Sequence, residues 1–205
     1  MDASPKELKL GQWRDTVIKI AVWDGVGAKT ELSCACLFTH SLHADGLQGG
    51  AADLDRALDG ALTRLWTQGI PAADSLQTLL MTKLPKSIAA SSCLVVGLGK
   101  PEFWAARKSA DAVAVSVNAA IQHKVASAAF APSLIDHGVQ AGEPVEPHLM
   151  EALLNQLEAA GRLADMGLAA LPALKTWYFD AGATHFDGAA VHYQAAFESW
   201  KSQRN

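Results

Sequence analysis

Apolar and polar positions along this chain fall into short alternating runs separated by stretches of helical period. Val17-Ile18-Lys19-Ile20-Ala21-Val22-Trp23 alternates around β-branched residues and predicts a strand, and Asp24-Gly25-Val26-Gly27 predicts the turn that follows it. Leu32 to Phe38 is apolar on both faces, as an interior strand requires. Leu54, Leu58, Leu62 and Leu65 then recur at helical spacing, with Asp53, Arg56, Asp59 and Arg64 turned away, which predicts one amphipathic helix. Leu76 to Thr82 and Cys93 to Leu98 predict strands with a loop between them. The length of the Ala- and Val-rich run from Trp104 to about Lys124 favours helix, although Val113, Val115 and Val117 alternate as in a strand. Ser127 to Ala131 resumes as a strand and stops at Pro132.

Between Ser133 and Pro147 the composition shifts toward Gly, Pro and acids, which predicts a long surface loop. His148 to about Leu171 is a leucine-rich helical stretch with Gly161 and Gly167 as weak points and Pro172 as its stop. Lys175 to Asp180 predicts a last strand. Phe186 to Lys201 predicts a last helix burying Phe186, Ala189, Ala190, Tyr193, Phe197 and Trp200, which lie three and four apart. Strands alternating with helices predict one α/β domain over residues 1–205, a mixed sheet flanked by helices.

Composition narrows the classes. Half of the 205 residues are hydrophobic and 19% are charged, which excludes extended disorder and supports a full-sized core. No apolar run approaches the length of a membrane span, and the acidic start Met1-Asp2-Ala3-Ser4 lacks the apolar region of a secretory leader. Three cysteines do not make a disulfide framework, so a reducing, cytoplasmic setting is expected. A net charge of −4 gives no basic field and argues against nucleic-acid binding.

The string Leu54-Asp55-Arg56-Ala57-Leu58-Asp59-Gly60-Ala61-Leu62, followed at a distance by Leu94-Val95-Val96-Gly97-Leu98-Gly99-Lys100, resembles the N-terminal domain of the leucyl (cytosol) aminopeptidase family. The resemblance covers roughly Thr16 to Pro132 and implies a macro-domain-like, three-layer α/β sandwich. Trp177-Tyr178-Phe179-Asp180 and a closing helix are similar to the way macro domains end. In that family the peptidase chemistry belongs to a separate C-terminal domain that holds two metal ions. That domain's Asn-Thr-Asp-Ala-Glu-Gly-Arg signature does not occur in these 205 residues. The resemblance therefore implies a fold without the peptidase activity. It also implies, as a partner, a separately encoded aminopeptidase catalytic subunit, while the apolar last helix and its aromatics predict a homodimer. Some bacterial relatives bind DNA through this domain, a role the acidic balance argues against.

Several residues carry candidate chemistry. Gly97, Gly99 and Lys100 lie between a predicted strand and a predicted helix, where backbone N–H groups and a lysine can hold a phosphate or carboxylate. The run lacks the spacing of a Walker A loop. Glu102 stands where a dinucleotide fingerprint needs glycine, so a plain tight turn is the competing reading. ADP-ribose binding by macro domains uses an Asn-rich segment and a Gly-rich loop, for which Asn118 and Gly46 to Gly50 are the nearest matches here. His40, His43 and Asp45 would be the ligands if a divalent metal were held, or else solvated loop residues. His185, Asp187 and His192 form a looser set. Cys34, Cys36 and Cys93 read as core thiols with no basic neighbour to activate them. Trp13 and Trp104 read as helix anchors or as residues lining an interface. No cofactor is required by any of these patterns. The expectation is a non-catalytic binding, regulatory or assembly module, and the alternative is a nucleotide or other anion-binding protein. An exposed aromatic stripe of Tyr193, Phe197 and Trp200 would mark a homodimer face.

Overall fold

The computed structural model describes residues 6–23, 26–39, 47–70, 73–132, 134, 142 and 144–204. Its strands are β1 (Glu7–Trp13), β2 (Thr16–Ala21), β3 (Leu32–Phe38), β4 (Thr78–Met81), β5 (Ser92–Gly99), β6 (Ser127–Ala131) and β7 (Thr176–Asp180). Its helices are α1 (Gly49–Ala57), α2 (Ala61–Thr67), α3 (Ala106–Gln122), α4 (Glu146–Asp165) and α5 (Phe186–Ser202). The strands form one sheet in the order β1-β2-β7-β6-β3-β5-β4. The pairings β2–β7, β7–β6, β6–β3 and β3–β5 are parallel, while β1 and β4 close the edges antiparallel.

Side-chain alternation divides the core into two layers. Ile18, Ile20, Cys34, Phe38, Val96, Phe130, Trp177 and Phe179 face α3, α4 and α5. Leu37, Cys93 and Val95 point to the opposite side, where Leu54 of α1 and Leu62 of α2 meet them. This is the mixed sheet between helical layers that the sequence predicts. No helix among the described residues is long and apolar enough to cross a membrane.

The differences from the predicted elements have local causes. Strand β1 is absent from the prediction because it is an edge strand burying only Leu10. The single helix over Leu54 to Leu65 is two helices, α1 and α2. The chain leaves α1 with Asp59 at φ 55° and Gly60 at φ 72°, and the Gly60 N–H donates to the Asp55 carbonyl at 2.8 Å. The run beginning at Trp104 becomes helical only at Ala106, after a short 3₁₀ turn over Pro101–Phe103. The predicted loop 133–147 lies mostly outside the described residues, and its last two residues, Glu146 and Pro147, open α4. That helix ends at Asp165, well before Pro172. Gly167 takes φ 71°, its N–H donates to Ala164 O at 2.9 Å, and the Leu168 N–H donates to Leu163 O at 2.8 Å. These two bonds are a Schellman stop, which needs glycine at the left-handed position. The predicted turn at Asp24 and Gly25 lies outside the described residues, while Val26 and Gly27 do form a turn.

Candidate functional site

Parallel strands put all their carboxyl ends at one edge of a sheet, and a crevice opens where successive connections leave in opposite directions. Here that point lies between β3 and β6. The chain leaves β3 through α1 and α2 toward β5, and leaves β6 through α4 toward β7. Phe38, Gly99, Ala131 and Asp180 are the strand ends at this edge. The Gly-rich stretch ends here too: Gly49 and Gly50 are the first residues of α1, whose N-cap Gln48 does not cap it with its side chain. His40, His43 and Asp45 belong to the segment just after β3 and lie outside the described residues.

Gly97 and Gly99 sit at this edge, and both amides are engaged within the chain. The Gly97 N–H donates to Gln77 O and the Gly99 N–H to Ala73 O, each at 2.8 Å, and Gly97 O accepts from Leu76 N at 2.8 Å. A Cβ at Gly97 would collide with the backbone of Ala73 and Asp74. The glycines thus let the segment before β4 close onto β5. Lys100 stands exposed beyond them, and the chain after it enters the 3₁₀ turn instead of a helix N-terminus.

Other expected residues fall elsewhere. Asn118 is exposed near the carboxyl end of α3, which points to the opposite edge of the sheet. His192 Nδ1 lies 3.5 Å from Glu146 Oε2, and Asp187 pairs with Lys6 at 2.6 Å. The described residues hold no group of three or more His, Cys, Asp or Glu arranged for a metal ion. The described residues therefore do not fit a two-metal centre. Burial pushes the Cys34 and Cys93 thiols up to about 12 and raises Cys36 as well. These are core thiols without nucleophilic character.

Both tryptophans left open by the sequence are internal anchors. Trp104 Nε1 donates to Ser109 Oγ at 3.0 Å. Trp13 Nε1 donates to Glu158 Oε2 at 3.0 Å, and its ring meets Trp200 edge-on at 4.6 Å between centroids. The expected aromatic stripe on α5 does not lie at the surface. Tyr193, Phe197 and Trp200 are only 3%, 3% and 5% exposed because α5 turns them onto the sheet and α4, so they form no outer face.

Two features were not legible beforehand. Trp23, just past β2, packs its ring 4.7 Å from Tyr178, and its backbone N–H donates to Asp180 Oδ1 at 3.1 Å. The second lies at the other edge of the sheet. Leu163, Met166, Leu168 and Leu171 are 44%, 63%, 72% and 72% exposed within nine residues. Beside them Arg14, Thr16, Leu157, Gly161, Leu171 and Leu174 line a cleft of about 100 Å³.

Comparison with known proteins agrees with this architecture. No curated protein matches the chain by sequence. The Oceanobacillus iheyensis macrodomain with ADP superposes with a TM-score of 0.64 at 13% identity, covering 98% of this chain and 100% of that one. The Trypanosoma brucei macrodomain in complex with ADP gives 0.59 at 13% identity, covering 88% and 68%. A tomato leucine aminopeptidase variant gives 0.62 at 14% identity, with 87% of this chain aligned to 36% of that chain. These likenesses establish a macro-domain-like fold. The model of the cytosol aminopeptidase family, N-terminal domain, matches residues 37–147, more than half of the sequence, and the chain belongs to that family.

Proposed function

We propose that this chain is a non-catalytic docking module that engages another protein through the surface at the end of α4. The observation that carries this reading is the cluster of Leu163, Met166, Leu168 and Leu171, exposed by 44% to 72%. Single exposed leucines are ordinary. Contiguous large apolar side chains beside a cleft are what interaction sites present. The Schellman stop ties the Leu168 N–H to the Leu163 carbonyl, yet it leaves most of the Leu168 side chain in water. The test is a photo-crosslinking residue placed at position 168 and activated in the native host. An adduct of discrete mass supports docking, and a failure to form any adduct sinks it.

A second reading is a small anionic ligand at the carboxyl edge of the sheet. The glycine-led start of α1 at the crevice between β3 and β6 supports it. So does the ADP in two structural neighbours. Lys100 would supply the positive charge at the neighbouring strand end. Thermal shifts with ADP, ADP-ribose and inorganic phosphate test this reading. Stabilisation that is weakened in Lys100→Ala supports it, and the absence of any stabilisation of the wild type removes it.

A further inference from the structure

We infer that the partner covering the α4 end is a second copy of this chain, joined about a twofold axis; the inference rests on the docking reading above. Three observations lead to it. First, the surface carries a knob and a hole side by side. Leu168 projects with 72% of its surface in water, and the cleft, apolar along Leu157, Leu171 and Leu174 and polar along Arg14, Asp15 and Thr16, offers about 100 Å³. An apolar cavity of roughly 150 Å³ accepts a benzene ring, so this one has room for a branched aliphatic side chain. A surface holding both members of such a pair is self-complementary, which a twofold interface requires.

Second, the rim is balanced in charge. Arg14 pairs with Glu158 at 3.0 Å and with Asp165 at 2.9 Å, Arg162 pairs with Glu158 at 2.7 Å, and Lys175 pairs with Asp15 at 3.0 Å. Three cations and three carboxylates thus balance at this end of the molecule, with Arg14 and Asp15 lining the cleft itself. A strongly basic or strongly acidic partner would find no opposite field here, whereas a second copy meets each exposed cation with a carboxylate of its own.

Third, the chain as a whole carries −4, so two copies repel over most orientations. The neutral rim is a place where they approach without that repulsion. Asp165 and Arg162 are 57% and 67% exposed, so each keeps surface free to pair across the axis.

Sedimentation velocity of the purified chain over a wide concentration range, with two surface variants, tests the inference. The wild type is expected to dimerise reversibly. Leu168→Glu removes the knob and Asp15→Trp plugs the hole from its rim. Each is expected to weaken dimerisation at least about tenfold, and unchanged thermal melting would show that both still fold. An equimolar mixture of the two variants keeps one intact knob-and-hole contact and is expected to associate more tightly than either variant alone. A wild type that stays monomeric near millimolar concentration overturns the inference, as does a dimer indifferent to both variants. The docking reading fails separately. If the crosslinker at position 168 captures a discrete partner of another mass while the purified chain is monomeric, docking stands and self-association falls.

Discussion

The guanidinium of Arg14 lies so close over Gly161 that a Cβ at the glycine would collide with its Nε, Cζ and Cδ. Arg14 occupies the two-residue turn between β1 and β2 with φ 47°, a conformation that costs a non-glycine residue energy. Its bonds to Glu158 and Asp165 hold it there. One glycine on α4 thereby lets the edge hairpin anchor to the helix that carries the exposed apolar surface.

Gly161→Ala is expected to push the Arg14 side chain aside and weaken its ion pairs, a loss that the roughly 1 kcal/mol gained by alanine over glycine in a helix offsets in part, so that the net loss stays below about 1 kcal/mol. Arg14→Ala in the same chain removes the clash, so the double variant should lose less than the sum of the single losses. Urea unfolding of the four proteins measures the coupling. Strict additivity would mean that the close approach constrains nothing.

Glu158 makes the same anchor sensitive to acid. Hydrogen bonds from Arg14 and Arg162, with a further one from Trp13, hold its carboxyl down at about 2 from an ordinary 4.5. A depressed folded-state value contributes stability that is fully present above pH 4.5 and disappears as pH falls toward 2. The whole shift would correspond to about 3 kcal/mol, and solvent around Arg162 reduces this to about 1–2 kcal/mol. Glu158→Gln should therefore be less stable than the wild type at pH 7, and the gap should narrow as pH falls below 4.5 and close only near pH 2. A gap that is constant with pH would show that the loss is one of packing alone.

How far the sequence reveals the fold depends on where each element sits. β3 and β5 are legible because they are buried on both faces, and α5 because its six buried residues repeat at three and four. β1 is not, since an edge strand with one buried residue has little hydrophobic signal. Leu54, Leu58, Leu62 and Leu65 keep their spacing across the α1–α2 break, so periodicity alone reads straight through it.

The site is legible in a different measure. Gly97 to Lys100 does mark the end of a strand at the crevice, as its pattern suggests. What captures the glycine amides is the chain at Ala73 and Gln77, a tertiary partner that no local motif announces. The surface at the end of α4 is hidden for the opposite reason. Leu163, Met166 and Leu168 continue a leucine-rich stretch and read as core, but Leu163 and Met166 fall off the buried face formed by Met150, Leu153, Leu154 and Leu157, and Leu168 comes after the stop at Gly167.

The three cysteines give a direct check of the core. Cys34, Cys36 and Cys93 are at most 2% exposed, and burial raises all three thiols. An aromatic disulfide reagent at pH 8 should find no reactive thiol in the native protein and three after denaturation. Rapid modification of even one in the native state would contradict the packing of β3 and β5 against the helices.

Asp55 couples the two helices that the leucine pattern runs together. From the last turns of α1 its Oδ1 accepts the N–H groups of Leu62 at 2.8 Å and Thr63 at 3.2 Å, and its Oδ2 accepts the Thr63 hydroxyl at 2.6 Å. A side chain on one helix thus caps the start of the next, where Gly60 offers no capping group of its own. The cap matters because α2 has only seven residues, too few to hold a helix without tertiary support. Asp55→Ala is expected to cost about 1–2 kcal/mol, and Asp55→Asn, which keeps one acceptor for the amides, less. Hydrogen exchange gives the sharper readout. Loss of the cap should speed exchange in α2 first, since only Leu62 there is fully buried, while α3 to α5 change only with global stability. Faster exchange spread evenly over the sheet would mean that Asp55 supports the fold as a whole and is not the hinge between its two shortest helices.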